Sequence, residues 1–124
     1  MQEVTVTHIQ FTKWIERQKT PDDPKMFMRF VKDVEEKCDA DNKERPILVH
    51  CLTGAEKSGL FCVVSILLEK IQLEQEISVV NTVRQVKNRR HKSIPNKEQY
   101  IFCHQCLDEY LHTFDTYANF CLER

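Results

Sequence analysis

Cys51 has the surroundings in this 124-residue chain that look most like a place for chemistry. It sits in the run Ile47-Leu48-Val49-His50-Cys51-Leu52-Thr53-Gly54-Ala55-Glu56-Lys57-Ser58-Gly59. Ile47, Leu48 and Val49 are apolar with no polar alternation, the pattern of a strand buried on both faces. The chain then turns through a glycine-punctuated loop and enters an apolar helix near Ser58. Strand, tight loop and helix N-terminus together make an anion site, because successive backbone N–H groups converge and the helix dipole favours negative charge. The same field lowers the pKa of a thiol at the start of the loop, so Cys51 reads as a nucleophile. The plainer reading is a structural cysteine at a strand end. Gly54 and Gly59 fit backbone that approaches a ligand closely or adopts positive φ.

His50-Cys51-x-x-Gly54-x-x-Lys57-Ser58-Gly59 resembles the signature of the protein tyrosine phosphatases, His-Cys-x-x-Gly-x-x-Arg-Ser/Thr-Gly. The resemblance runs from about Val4 to Leu111 in the family's order of elements. It implies attack of a thiolate on phosphorus, a phosphocysteine intermediate and its hydrolysis by water. On that pattern Cys51 is the nucleophile, and Leu52, Thr53, Gly54, Ala55, Glu56, Lys57 and Ser58 form the phosphate cradle. Ser58 matches the hydroxyl that helps the thiolate leave, although capping of the helix explains it equally well. His50 would orient the loop and tune the thiol, or simply pack, and Gly59 supports the cradle. Trp14-Ile15-Glu16 is similar to the start of the family's mobile acid loop, Trp-Pro-Asp-His-Gly-Val-Pro. Glu16 then stands where the general acid would be, with one more methylene than aspartate; a solvated loop glutamate is the alternative. The water-positioning segment Gln-Thr-x-x-Gln reads here as Pro95-Asn96-Lys97-Glu98-Gln99, which leaves Gln99 in a supporting or merely capping role.

The departures bear on function. Lys57 keeps a positive charge but lacks the planar fork with which arginine holds two oxygens at once. Losing one such transition-state contact costs on the order of 10²–10³ in rate. Glu56 replaces what is usually a glycine, and its carboxylate either pairs with Lys57 or faces solvent. With Pro95 also altered, the resemblance implies a domain with impaired catalysis that binds phosphotyrosine, phosphate or a protein partner in signalling regulation. The alternatives are an active cysteine-dependent phosphatase using Lys57 and Glu16, and a truncated product without function. Restoring the family residues, Lys57→Arg with Glu56→Gly, separates the first two.

Around the loop, residues 4–12 alternate and are rich in β-branched side chains, which reads as a strand with a change of phase near His8. Asp23 and Pro24 open a helix whose inner face carries Phe27, Phe30, Val31, Val34 and Cys38. Segment 39–45 is a polar connector. Leu60, Phe61, Val63, Val64, Ile66, Leu67 and Leu68 mark a buried central helix. Ser78 caps a third helix with Val79, Val80, Val83 and Val86 inward, ending in the basic cluster Lys87, Arg89, Arg90, His91 and Lys92. Asn96 and Gln99 suggest a capping box for a last helix lined by Tyr100, Cys103, Leu107, Tyr110, Leu111 and Phe114. The expected fold class is therefore α/β: central strands flanked by about four helices, resembling the carboxy-terminal half of the phosphatase domain. Residues 1–124 form a single partial domain, with the first half of the family domain absent.

Composition narrows the classes. A net charge of −1 offers no electrostatic reason for nucleic acid or an acidic membrane. No apolar stretch is long enough to span a bilayer, and no signal-peptide pattern precedes the domain. The six cysteines read as reduced, mostly buried thiols, consistent with a cytoplasmic protein or the intracellular part of a larger one. Cys103-His104-x-Cys106 spreads its ligands around a helix with no second pair, so neither a metal nor a cofactor is expected.

Overall fold

The computed structural model describes residues 2–41, 46–73 and 75–122, with side chains described for all of these except 41 and 114–122. Four helices follow one another: α1 (Pro24–Asp41), α2 (Glu56–Gln72), α3 (Val79–Arg89) and α4 (Lys97–Leu122). Helix α2 is the hub and packs on the other three. Its faces are apolar nearly all round, so it can only be stable with neighbours on several sides. Leu60, Val63, Val64, Leu67 and Leu68 are all buried, against Phe27 and Val31 of α1, Val83 of α3 and Phe102, Cys103 and Cys106 of α4. Aromatic rings extend the core towards the amino terminus. Phe11 meets Phe27 edge-on at 5.4 Å, and Phe27 meets Phe102 at 5.6 Å, in the geometry that ring quadrupoles favour.

The helix starts follow from side-chain capping. Asp23 Oδ1 accepts from the Lys25 amide at 2.9 Å, and Ser78 Oγ accepts from Asn81 at 3.2 Å. Two starts differ from expectation. Helix α2 begins at Glu56 and not at Ser58, because the Thr53 hydroxyl accepts from Ala55 at 3.2 Å and from Glu56 at 3.1 Å. Gln99 closes no capping box: its side chain is buried and donates from Nε2 to the Lys19 carbonyl at 3.1 Å. Phe114, expected on the inner face of α4, and Cys121 lie outside the described side chains, as does much of the 39–45 connector.

The expected α/β class is not what forms. Among the described residues there is no strand and no sheet. Residues 4–12 and 47–49 have the alternation and branching of strands, yet neither joins a backbone ladder. A strand satisfies its N–H and C=O groups only through a neighbour, and these two runs form no backbone pair with each other. His8 and His50 stack with ring centroids 5.8 Å apart, which marks where they meet. The run expected to be buried on both faces is instead open, with Ile47 44% and Leu48 88% exposed, and in the alternating run before it Val6 is 81% exposed. Beside Val49, an open groove of about 640 Å³ lies along α2 and α3, lined by Cys62, Ile66 and Val86 among others.

Candidate functional site

The loop between residue 50 and α2 is built from three local devices. Gly54 takes φ +68°, a conformation that favours glycine. Thr53 folds its hydroxyl back onto the first two amides of the turn, and Gly59 N donates to Ala55 O at 2.8 Å to start the helical ladder. This brings the first turn of α2 over Cys51. The Ser58 amide donates to Cys51 Sγ at 3.4 Å, and the Thr53 hydroxyl lies 3.8 Å from the same sulfur.

These donors decide the state of the thiol. Burial opposes the thiolate, but the Ser58 hydroxyl and amide, the Thr53 hydroxyl and the Gly54 amide together outweigh it, and the Cys51 pKa falls from 9.0 to about 7. The Ser58 hydroxyl is close enough to favour the anion, yet Oγ is buried and completes no well-aligned hydrogen bond. Contrast the thiols of the core. Burial pushes Cys103 up to about 12, and Cys106 rises further for the same reason. One thiol of the described set is thus made reactive by its position, and the core thiols are made inert.

Two partners of the loop come from beyond it. Arg90, at the end of α3, donates from Nε to the Gly54 carbonyl at 3.0 Å. A side chain at Gly54 would meet the same guanidinium at 3.1 Å. Arg90 reads in sequence as one charge of a solvated basic cluster, and nothing in the spacing shows that α3 ends against the loop. Ser93 packs on Gly59 so closely that a Cβ there would lie 2.7 Å from Ser93 Cβ. The turn carrying Ser93 is held by Lys87, whose ammonium donates to the Ser93 and Ile94 carbonyls at 3.0 and 3.3 Å. Ile94 adopts φ +51°, a strained conformation for a β-branched residue, and its buried side chain holds the turn in place.

The remaining candidates divide into those at the loop and those at its edge. Lys57 turns towards the amino-terminal segment, where its ammonium lies 5.1 Å from the Trp14 ring centroid. Glu56 is exposed at the start of α2 and makes no ion pair with Lys57. Leu52 is exposed, Ala55 is buried, and His50 is engaged with His8. Glu16 is exposed in the turn after Trp14, which Gln18 closes by donating to the Ile15 carbonyl at 2.9 Å. Trp14 Nε1 donates to Gln18 O at 2.9 Å, and Gln99 secures the far end of the segment through Lys19. Gln99 is therefore a tether of the 14–21 segment. Among the described residues no group of three or more potential ligands gathers as a metal would require.

A thiol whose pKa is drawn down to about 7 beside the Ser58 amide at a helix N-terminus is the arrangement that cysteine-based chemistry on oxyanions requires. Residues 1–109 match the family model "Protein-tyrosine phosphatase". The chain is 36% identical over 115 residues to tyrosine-protein phosphatase Lar of Drosophila melanogaster, covering 93% of this chain and 6% of that protein. It is 34% identical over 114 residues to receptor-type tyrosine-protein phosphatase S of Gallus gallus, covering 92% and 8%. To receptor-type tyrosine-protein phosphatase alpha of Mus musculus it is 35% identical over 100 residues, covering 81% and 12%. The chain belongs to the protein-tyrosine phosphatase family. It spans 6–12% of the length of these relatives.

Proposed function

We propose that this chain is a phosphotyrosine-binding module of the tyrosine phosphatase type with impaired catalysis, acting through a phosphotyrosine-bearing protein or peptide in signalling regulation. The observation that carries the reading is the Lys57 ammonium over the Trp14 ring at 5.1 Å. A lysine is a single point charge, and an indole face already engages this one, so the two-oxygen clamp that arginine supplies is missing. The exposed Glu56 carboxylate beside it adds negative potential at the rim. Binding remains supported: the Ser58 amide in the first turn of α2 and the Gly54 amide of the loop, which stabilise the Cys51 thiolate, are the same kind of donor that holds phosphoryl oxygens. A phosphate or phosphotyrosine thus has somewhere to sit, with less to stabilise its transition state. From its similarity to receptor-type tyrosine-protein phosphatases we assign the module to the cytoplasmic side.

One observation favours a second reading, a weak phosphatase. A Cys51 pKa of about 7 leaves a nucleophile at neutral pH. In that reading the thiolate forms a bond to phosphorus as the P–O bond to the aryl group breaks. Glu16 supplies the proton to the departing phenolate, and water then cleaves the phosphocysteine and restores the thiolate.

Calorimetric titration of the chain with a phosphotyrosine peptide and its unphosphorylated counterpart tests the binding claim. Heat that depends on the phosphate, strengthened in Lys57→Arg with Glu56→Gly, is the expected result. Equal binding of both peptides overturns the proposal.

A further inference from the structure

Residues 2–13 belong to no helix, turn or strand, and among the described residues their backbone enters no backbone–backbone hydrogen bond. Free N–H and C=O groups in a row can take up a strand laid alongside, as the edge of a sheet does. The side chains suit that use. Val4, Thr5, Val6, Thr7 and Ile9 are β-branched, no proline interrupts the run, and Val4 and Val6 stand 76% and 81% exposed. Phe11 seats the far end on α1 through Phe27 and Phe30, at 5.4 and 5.1 Å between ring centroids. A ribbon formed here is therefore backed by a helix, which a two-stranded pair needs in order to be stable.

The charges identify the occupant. The segment holds one acid, Glu3, and one base, Lys13, both exposed. Two copies in parallel register would set like charge against like, which is unfavourable. Run antiparallel about a twofold axis at His8, they set Glu3 of each copy against Lys13 of the other, because the two residues are equally far from residue 8. The same register puts Thr5 opposite Phe11 and Thr7 opposite Ile9, pairs of the β-branched and aromatic kind that stabilise antiparallel strands. Any other axis loses both ion pairs. A surface complementary to itself about a twofold is the commonest route to a closed homo-oligomer.

We propose that the chain pairs with a second copy of itself through residues 4–12, as an antiparallel ribbon centred on His8 and flanked by reciprocal Glu3–Lys13 ion pairs. The copy supplies the partner that the strand pattern lacks within the described chain. The pairing does not depend on what the Cys51 loop binds.

Sedimentation equilibrium of the full chain across the micromolar range should show a reversible monomer–dimer equilibrium. Glu3→Lys and Lys13→Glu each set like charges opposite at both ends of the ribbon, and each should weaken the dimer roughly three- to thirtyfold. Combining Glu3→Lys with Lys13→Glu should restore it. Circular dichroism checks that the helices stay intact in all three. Amide exchange read by NMR should slow at alternate residues of 4–12 in the dimer and quicken on dilution. A wild-type chain that stays monomeric leaves the segment to a strand of another polypeptide and overturns the proposal. A dimer insensitive to the charge reversals, or not restored in the double variant, places the contact elsewhere and overturns it too. Assemblies that grow beyond the dimer overturn the closed twofold pairing.

Discussion

Alkylation of Cys51 as a function of pH tests the physics of the loop before any ligand is involved. With its pKa drawn down to about 7 from 9.0, Cys51 is about half ionised at pH 7 where an unperturbed thiol is about 1% ionised. That is about a fiftyfold gain in thiolate. A less basic thiolate is also a slower nucleophile, and two units at a Brønsted slope of about 0.4–0.5 take back a factor of about six to ten. The folded site should therefore react with iodoacetamide roughly five- to eightfold faster at pH 7 than the same cysteine in the urea-unfolded chain. Above pH 9 the order should invert, because both thiols are then ionised and only the intrinsic difference remains. Site-resolved mass spectrometry separates Cys51 from the buried Cys103 and Cys106, which should stay unmodified in the folded protein. Thr53→Val is the matched perturbation: it removes the hydroxyl that faces the sulfur and accepts from the Ala55 and Glu56 amides leading into α2, so the inflection should rise and stability should fall by about 1 kcal/mol. A wild-type inflection near 9, or equal rates in the folded and unfolded chains at pH 7, would refute the reasoning.

Other consequences follow from single contacts. Arg90→Leu removes the donor to the Gly54 carbonyl, and the Cys51 alkylation inflection should move up from 7 towards 9 with the helices intact by circular dichroism. Gly59→Ala places a methyl 2.7 Å from Ser93 Cβ and 3.2 Å from its Cα, so the turn must shift; thermal unfolding should show a loss of about 1–3 kcal/mol, partly recovered by adding Ser93→Gly. Glu35, raised in pKa chiefly by burial and held by the Ser65 hydroxyl at 2.9 Å, costs stability when it ionises in the folded state. A raised folded pKa means that stability is lost as pH climbs through it, so Glu35→Gln should gain a few tenths of a kcal/mol at pH 8, allowing for the partial exposure of the group. At pH 3, where both states hold the proton, it should gain nothing.

What was legible in the sequence was whatever depends on neighbours in the chain. The apolar periodicity of α1 and α2, the Ser78 cap and the sequence of strand-like run, cysteine, glycine and helix start are all local. The strand patterns do not become strands because such a pattern records a partner more than a structure of its own. Residues 4–12 and 47–49 have the side chains of buried strands, but among the described residues nothing pairs with them, and Leu48 stands in solvent. Within the site, Thr53 reads in sequence as part of the cradle, and its hold on the Ala55 and Glu56 amides is not visible there because Ser58 offers an equally good hydroxyl closer to the apolar run. Arg90, Ser93 and the Gln99 tether are long-range contacts, 36 residues apart for Arg90 and Gly54 and 80 for Gln99 and Lys19, and no local pattern encodes them. The direction of Lys57 belongs with these: the substitution for arginine is visible in the chain, and its engagement by Trp14 is not.

The central claim is that this loop keeps its thiolate and has lost the clamp that makes it a catalyst. Hydrolysis of a small aryl phosphate by the purified, folded chain, measured beside Cys51→Ser, tests it most directly. The account predicts turnover indistinguishable between the two proteins, while Cys51 still alkylates with an inflection near 7. Turnover that disappears in Cys51→Ser would contradict it and establish the chain as a working phosphatase despite Lys57.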